Sequence, residues 1–234
     1  MKKNLLTLTT ILVLISSWSP LVKADDVASK DLGFRFHWDS NTNTGRCLNN
    51  ENKEGYNPHF VGICGDLRGL KMNNEDLNGL DLSGANFDGV SLKGAKLNGA
   101  NLRGVRATGT DFSKADINGA NFDGAIVSGS LFNRSRLNGA RFIGANLSGC
   151  KIKESQLHGI QMQNANLGGT DIDSELKTAN LLNATYTIGT VLPFEIAEAQ
   201  KRGMKSIQVE MSVVKNPTKD SDSLKKEERQ PAGR

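Results

Sequence analysis

From Gly65 to Ser174 the chain repeats one hydrophobic pattern every five residues without a break in register: small, polar, apolar, polar, glycine. Ala95-Lys96-Leu97-Asn98-Gly99, Ala120-Asn121-Phe122-Asp123-Gly124 and Ala145-Asn146-Leu147-Ser148-Gly149 show it plainly. Across 22 such units the central place holds Leu, Phe, Ile, Met or Val in all but one, the exception being Ala107. Repetition of this kind outranks the local propensity of any one segment. A five-residue period fits neither an amphipathic helix, with a period of about 3.6, nor an ordinary strand, with a period of about 2. Within a unit the small and central residues stand two apart, so an extended backbone points them to one side and their polar neighbours to the other. Glycine accepts positive φ at no steric cost and supplies a bend. Each unit is therefore expected to be a very short strand followed by a corner.

The glycine failures count the corners. The last place of the unit is not Gly at Asn74, Lys114, Arg134, Glu154, Asn164 and Ser174, and five of these six are separated by whole multiples of four units. Failures stack in one column if four units make one coil, so the cross-section is expected to be a square. Other positions follow the same period. Asn78, Asn98, Asn118 and Asn138 form an outward column continued by His158, similar to the amide ladders of stacked in-register strands. Asp76, Lys96, Asp116, Arg136 and Gln156 form another, with charge alternating from coil to coil. Like charges stacked about 4.8 Å apart would repel, so this order supports the register. Inside, Phe112 is expected to stack on Phe132 and Phe122 on Phe142.

With the pattern Ala, Asp or Asn, Leu or Phe, polar, Gly across about half its length, the chain resembles the pentapeptide-repeat family. The resemblance implies an all-β fold, a right-handed quadrilateral parallel β-helix of about five and a half coils. It says little about role, because function follows from a site and not from a fold.

The expected organisation has a signal peptide at 1–24, an N-terminal capping segment at 25–64, the β-helix at 65–192, a C-terminal cap at 193–214 and a disordered basic tail at 215–234. A basic start (Lys2, Lys3), an apolar stretch from Leu5 to Ile15, Pro20, and then Val22-Lys23-Ala24 read as a secretory signal with cleavage expected after Ala24. The stretch is short for a bilayer span and no second one follows, so the mature chain is expected to be soluble, in the periplasm or outside the cell. In the capping segment Phe34, Phe36 and Trp38 alternate with Arg35 and His37 as in a half-buried strand, and Asn41 to Gly45 reads as a turn. At the far end the register slips by one residue between Ile172 and Leu181, and repeat-like units resume at Ala179 and Ala184. Pro193 can open a short helix carrying Phe194 and Ala197, and Gly203 can close it. Ile207, Val209, Met211 and Val213 alternate with polar residues as one more strand, able to pair with the solenoid or with a second molecule.

Charge narrows the function classes. The formal net charge is +4, but removing Lys2, Lys3 and Lys23 from the 29 Lys and Arg leaves 26 against 25 Asp and Glu. What remains is uneven, with nine basic and five acidic residues from Lys201 to Arg234. Such a tail without interleaved aromatics would bind nucleic acid only weakly and with strong salt dependence, so nucleic acid is not the expected partner. The family resemblance brings a further role, an acidic rod that imitates DNA and inhibits type II topoisomerases. Balanced charge and an export signal both oppose it.

Candidate chemistry is sparse. Cys47 and Cys64 lie close together before the repeats in a chain bound for an oxidising compartment, and are expected to form a disulfide. Combined with His37 and His59 they lack the spacing of a zinc site. Cys150 occupies an inward small position in a column with Thr110, Ser130 and Thr170, and reads as a buried spacer. Asp171 and Asp173 share a face, but Lys151 and Lys153 precede them in the same columns, an ion-pair ladder rather than a catalytic pair. The sequence holds no nucleophile-elbow, zinc-protease or phosphate-loop motif, so neither enzyme activity nor a cofactor is expected. Three outward places are apolar where the pattern wants polar residues: Ile126, Leu131 and Ile143. They are the candidate contact for a protein or envelope polymer. The expected role is a structural or binding module, as a monomer or dimer.

Overall fold

The computed structural model describes residues 35–39, 44–48, 53–54, 57–58 and 63–207. The signal segment, Phe34, His59 and the chain beyond Ile207 lie outside the described residues, and with them the expectations placed there.

From Gly65 onward each unit makes one rung. The small and central residues, Ala95 and Leu97 or Ala120 and Phe122, are buried, while Lys96 and Asn98 face outward. Rungs stack through parallel bridges between residues four units apart, in four ladders. The first side runs Asp66, Asn86, Arg106, Ile126, Asn146, Asn166 and the second Lys71, Ser91, Asp111, Leu131, Lys151. The third runs Asp76, Lys96, Asp116, Arg136, Gln156 and the fourth Asp81, Asn101, Asn121, Arg141, Gln161. Four ladders per period make four sides. Each rung is tied on both edges: Lys96 N–H donates to Glu75 O at 2.9 Å and Leu97 N–H to Asp116 O at 2.7 Å. Interior rungs therefore leave few backbone groups unpaired, which a buried sheet requires.

Corners are four-residue turns closed from the next small residue to the central carbonyl, as in Ala100 N–H to Leu97 O at 3.1 Å. Their third residue has positive φ, the place where a type II turn takes glycine. Gly99 sits at +66°. Asn74, Lys114, Arg134, Glu154 and Asn164 adopt the same region at +52° to +61° without being glycine. Ser174 is different. The structure places it inward, buried, with its hydroxyl donating to Ile152 O at 3.2 Å. It is a small-position residue and not a corner; the unit from Thr170 to Asp173 has lost its corner. This is the physical form of the register slip, and it shortens the ladder spacing by one residue in Gln161–Asn180 and Asn166–Thr185. An extra residue at Ile188-Gly189 restores the full spacing in Asp171–Val191.

The interior is a column of stacked side chains. Phe112 lies parallel to Phe132 at 4.9 Å and Phe122 to Phe142 at 4.7 Å. The two stacks meet edge to face, with Phe112–Phe122 at 5.8 Å and Phe132–Phe142 at 5.9 Å. Both geometries are favoured by the ring quadrupole.

At the N-terminal end β1 (Arg35–Asp39) and β2 (Thr44–Leu48) form an antiparallel hairpin. Thr44 and Gly45 belong to β2 and not to the expected turn, whose other residues, 41–43, lie outside the described residues. The strand β3 (Asn57–Pro58) pairs in parallel with β4 (Gly65–Asp66), the first rung. Cys47 and Cys64 are joined, with Cα atoms 5.6 Å apart. Cys64 itself occupies a corner place at φ +60°. Two later rungs form regular strands, β5 (Lys151–Ile152) and β6 (Asp171–Ile172), paired with each other.

At the other end β7 (Thr185–Tyr186) is followed by α1 (Ile196–Lys201), which begins after Pro193 and Phe194 rather than on them. The helix carries Ala197, as expected, and its buried residue is Ala199. Gly203 ends the turn at φ +77°. The helix interrupts the solenoid without ending it, because β8 (Lys205–Ser206) returns to the first side and pairs in parallel with β7.

Candidate functional site

Three local devices fix the outward side chains. Asp or Asn in the second place of the unit accepts the N–H two residues on, as in Asn121 Oδ1 from Asp123 at 2.9 Å and Asp111 Oδ1 from Ser113 at 2.9 Å. These are Asx turns, the physical reason for Asp and Asn there. On the third side the Asn column is a ladder into the backbone: Asn78 Oδ1 accepts Asn98 N–H at 2.8 Å and Asn98 Nδ2 at 3.1 Å. Asn138 Oδ1 accepts His158 N–H at 3.0 Å, and the imidazole then lies 3.2 Å from Thr178 Oγ1. The third device is a carboxylate clamp. Asp88 accepts Thr108 N–H at 2.8 Å through one oxygen and Arg106 at 3.1 Å through the other. Asp123 repeats it with Ile143 N–H at 3.0 Å and Arg141 at 2.7 Å.

Inside, the small-position hydroxyls in the column of Cys150 form a polar seam along one edge. Thr110 Oγ1 donates to Phe87 O at 2.7 Å, Ser130 to Ala107 O at 2.5 Å and Thr170 to Leu147 O at 2.9 Å. Cys150 continues the seam, its Sγ 3.0 Å from Val127 O. Burial pushes this thiol up to about 12, against the pull of the Ser130 and Gly129 backbone groups. A neutral buried thiol is a poor nucleophile. In sequence the seam shows only as hydroxyls recurring once per coil, since donation to a carbonyl of the preceding coil needs the coil geometry.

The charged columns resolve into ion pairs. Asp76–Lys96 stand 3.8 Å apart, Asp116–Arg136 3.0 Å and Arg134–Glu154 2.9 Å, all exposed except the half-buried Asp116. Glu154 accepts from Arg134 and holds that guanidinium above its ordinary range. Exposed pairs of this kind stabilise by less than about 1 kcal/mol each. Lys153 pairs diagonally with Asp171 at 2.5 Å, while Asp173 accepts Glu154 N–H at 2.8 Å. The two acids thus have separate structural duties. Among the described residues there is no His, Cys, Asp and Glu group able to hold a metal ion, and no helix long and apolar enough to cross a membrane.

The apolar candidates fall on three successive sides. Ile143 is on the fourth, Ile126 on the first and Leu131 on the second. Ile126 is exposed at 36%, whereas Leu131 and Ile143 are half-buried between their coil neighbours. They therefore border two corners of one stretch of rod and do not make one flat patch. Among the described residues the more exposed apolar side chains are Leu182, Ile188, Val191, Ile196 and Ile207, toward the C-terminal end of the solenoid.

Among known proteins, a family model of pentapeptide repeats matches residues 66–99, 91–129 and 130–169, in eight copies. A pentapeptide-repeat protein from the Arabidopsis thaliana thylakoid lumen is 23% identical over 47% of this chain and 74% of its own, with a TM-score of 0.31. HetL, a protein involved in heterocyst differentiation regulation from the cyanobacterium Nostoc, is 20% identical over 55% of this chain and 70% of its own, with a TM-score of 0.30. QnrB1, a plasmid-mediated fluoroquinolone resistance protein, is 18% identical over 61% and 79% of the two chains, with a TM-score of 0.30. No curated protein matches the chain.

Proposed function

We propose, from a chain that belongs to the pentapeptide-repeat family through residues 66–169, that this protein is an exported, non-enzymatic rod that binds a protein or an envelope polymer along its faces. Its coils are right-handed and number about five and a half over the uninterrupted repeats, following the geometry the family resemblance implies. The observation that carries the reading is the employment of the polar side chains. Asx turns, the Asn ladder, carboxylate clamps and the hydroxyl seam commit the acids and hydroxyls to holding coils together. A rigid surface remains, of the kind that binds by shape and pre-organisation. The alternation of Asp76, Lys96, Asp116 and Arg136 weighs against the DNA-mimic role, which needs a continuous negative face.

Affinity capture from native envelope extract tests the binding role, with the chain from Asp25 to Arg234 immobilised beside its Ile126→Ser, Leu131→Ser variant. A protein or polymer retained by the first form and lost from the second places the contact on the corner at Gly129. Equal retention by both moves the contact elsewhere, and retention of nothing in repeated extracts discards the binding role. Cell fractionation with N-terminal sequencing tests export, the expected first residue being Asp25.

A further inference from the structure

An asparagine followed by glycine is the peptide step most open to spontaneous loss of the side-chain amide, because glycine has no Cβ to shield its nitrogen. The chain holds four such steps, Asn78-Gly79, Asn98-Gly99, Asn118-Gly119 and Asn138-Gly139, and all four lie in the outward column of the third side. In the reaction the glycine nitrogen gives up its proton and bonds to the asparagine Cγ. The bond from Cγ to Nδ2 breaks, ammonia leaves carrying that proton, and a five-membered imide remains. Water then opens the imide at either carbonyl, to an aspartate or to an isoaspartate whose main chain runs through the former side chain. One water is consumed and one ammonia released, with no oxidant or reductant.

The coil opposes the first step at every corner. Gly79 N–H donates to Asn98 O at 3.0 Å, Gly99 to Asn118 O at 2.9 Å, Gly119 to Asn138 O at 2.9 Å and Gly139 to His158 O at 2.8 Å. Closing the imide requires each nitrogen to leave its carbonyl in the next coil. The leaving amides, however, are not held alike. Asn98 Nδ2 donates to Asn78 Oδ1, Asn118 Nδ2 to Asn98 Oδ1 and Asn138 Nδ2 to Gln156 Oε1, each at 3.1 Å, and these three residues are half-buried. Their own N–H groups are each accepted by the asparagine one coil before. Asn78 heads the ladder: it is exposed, its N–H is accepted within the turn by Asp76, and among the described residues its Nδ2 has no partner.

The direction of the ladder also sets what the product does. At position 78 the amide serves the ladder only as an acceptor, and a carboxylate accepts the same two bonds from Asn98. At 98 or 118 the lost group is a donor, and a carboxylate oxygen takes its place against another oxygen. We propose that Asn78 is a spontaneous deamidation site of the folded protein, and that the ladder it heads keeps Asn98, Asn118 and Asn138 intact. Its aspartate product adds one negative charge to the third side, beside Asp76, without loosening the coil.

The four steps have matched neighbours, Leu or Ile before and Leu or Ala after, and each falls in a separate tryptic peptide, so one digest compares them. The full chain is incubated in mildly alkaline buffer with and without urea, and deamidation at each site is followed by mass spectrometry. In urea all four are expected to react at similar rates. In the folded protein Asn78 is expected to lead the other three by at least about tenfold, since reaction at those sites waits on local opening of the coil. Equal rates at the four folded sites, or a lead by any of the other three, overturn the proposal, as does an Asn78 that stays intact while the urea sample is consumed. Two variants test the ladder's direction. Asn78→Asp is expected to leave the urea midpoint unchanged, and Asn98→Asp to raise the unfolding constant about tenfold. Equal losses in the two contradict the ladder's role.

Discussion

Cys150 shows how far a single position is set by its coil. Its thiol is buried among apolar neighbours and held neutral, its ionisation pushed from an ordinary 9.0 up to about 12. A folded-state value above the unfolded one means that the unfolded chain loses the proton first. Stability from this group is complete below pH 9 and falls by up to about 1.4 kcal/mol per pH unit as pH rises from there. Urea titrations between pH 8 and pH 10.5 are expected to show that slope, and Cys150→Ser to reduce it, with a cost near neutral pH of about 1 kcal/mol or less because the serine repeats what Ser130 already does. An unchanged slope in the variant would assign the alkaline loss to other groups. The corner glycines differ in the same local way. A Cβ on Gly99 meets nothing within 4 Å, whereas one on Gly84 falls 2.5 Å from the Phe36 ring and 2.6 Å from Cys47 Sγ. Gly99→Ala is expected to cost about 1 kcal/mol through backbone strain alone, and Gly84→Ala clearly more, because it also pushes the hairpin off its corner. Equal thermal shifts in the two variants would mean that the hairpin does not rest there.

At the level of the rung, the phenylalanine stacks and the Asn ladder hold different sides of the middle coils. Phe122 touches Phe142 face to face and both neighbouring rings edge on. Phe122→Ala is expected to cost about 3–5 kcal/mol, and Phe122→Leu much less, since leucine already fills most central places. Asn118→Ala removes the acceptor of Asn138 N–H at 3.1 Å and is expected to cost about 1 kcal/mol, measurable in the same unfolding experiment. These rungs were legible in the sequence because one residue type does one job at one period: inward places, stacked rings, four sides and the disulfide all follow from counting. What was not legible depends on atoms meeting across coils. Ser174 looks like a failed corner because a deletion and a substitution give the same string until its hydroxyl is seen bonded to Ile152 O. The expected helix start falls too early because Pro193 is a permissible first residue, yet Pro193 and Phe194 form a bend and the cap at Glu195 is extended, so the helix begins only at Ile196. The carboxylate clamps need an Asp and an Arg from successive coils, a pairing that only the coil brings together.

For the whole molecule, the ladder makes each coil depend on its neighbours alone, so damage at one end need not reach the other. The disulfide offers a clean test of that independence. Cys47 and Cys64 have a sequence separation of 17, a loop whose closure stabilises by about 3 kcal/mol in the chain-entropy model. Both cysteines are buried, and the hairpin they anchor lies on the corner at Gly84. Reduction therefore removes a tether from the first coil and nothing from the phenylalanine stacks. Amide hydrogen exchange of the reduced protein, or of Cys47→Ser, is expected to quicken by up to about a hundredfold in β1, β2 and the first coil, consistent with that loss. Residues 110–170 should keep their protection, because their hydrogen bonds close on coils that have not moved. If protection instead falls by one common factor from Leu67 to Tyr186, the rod unfolds as a single cooperative unit. The N-terminal cap would then govern the stability of every face the protein presents to a partner.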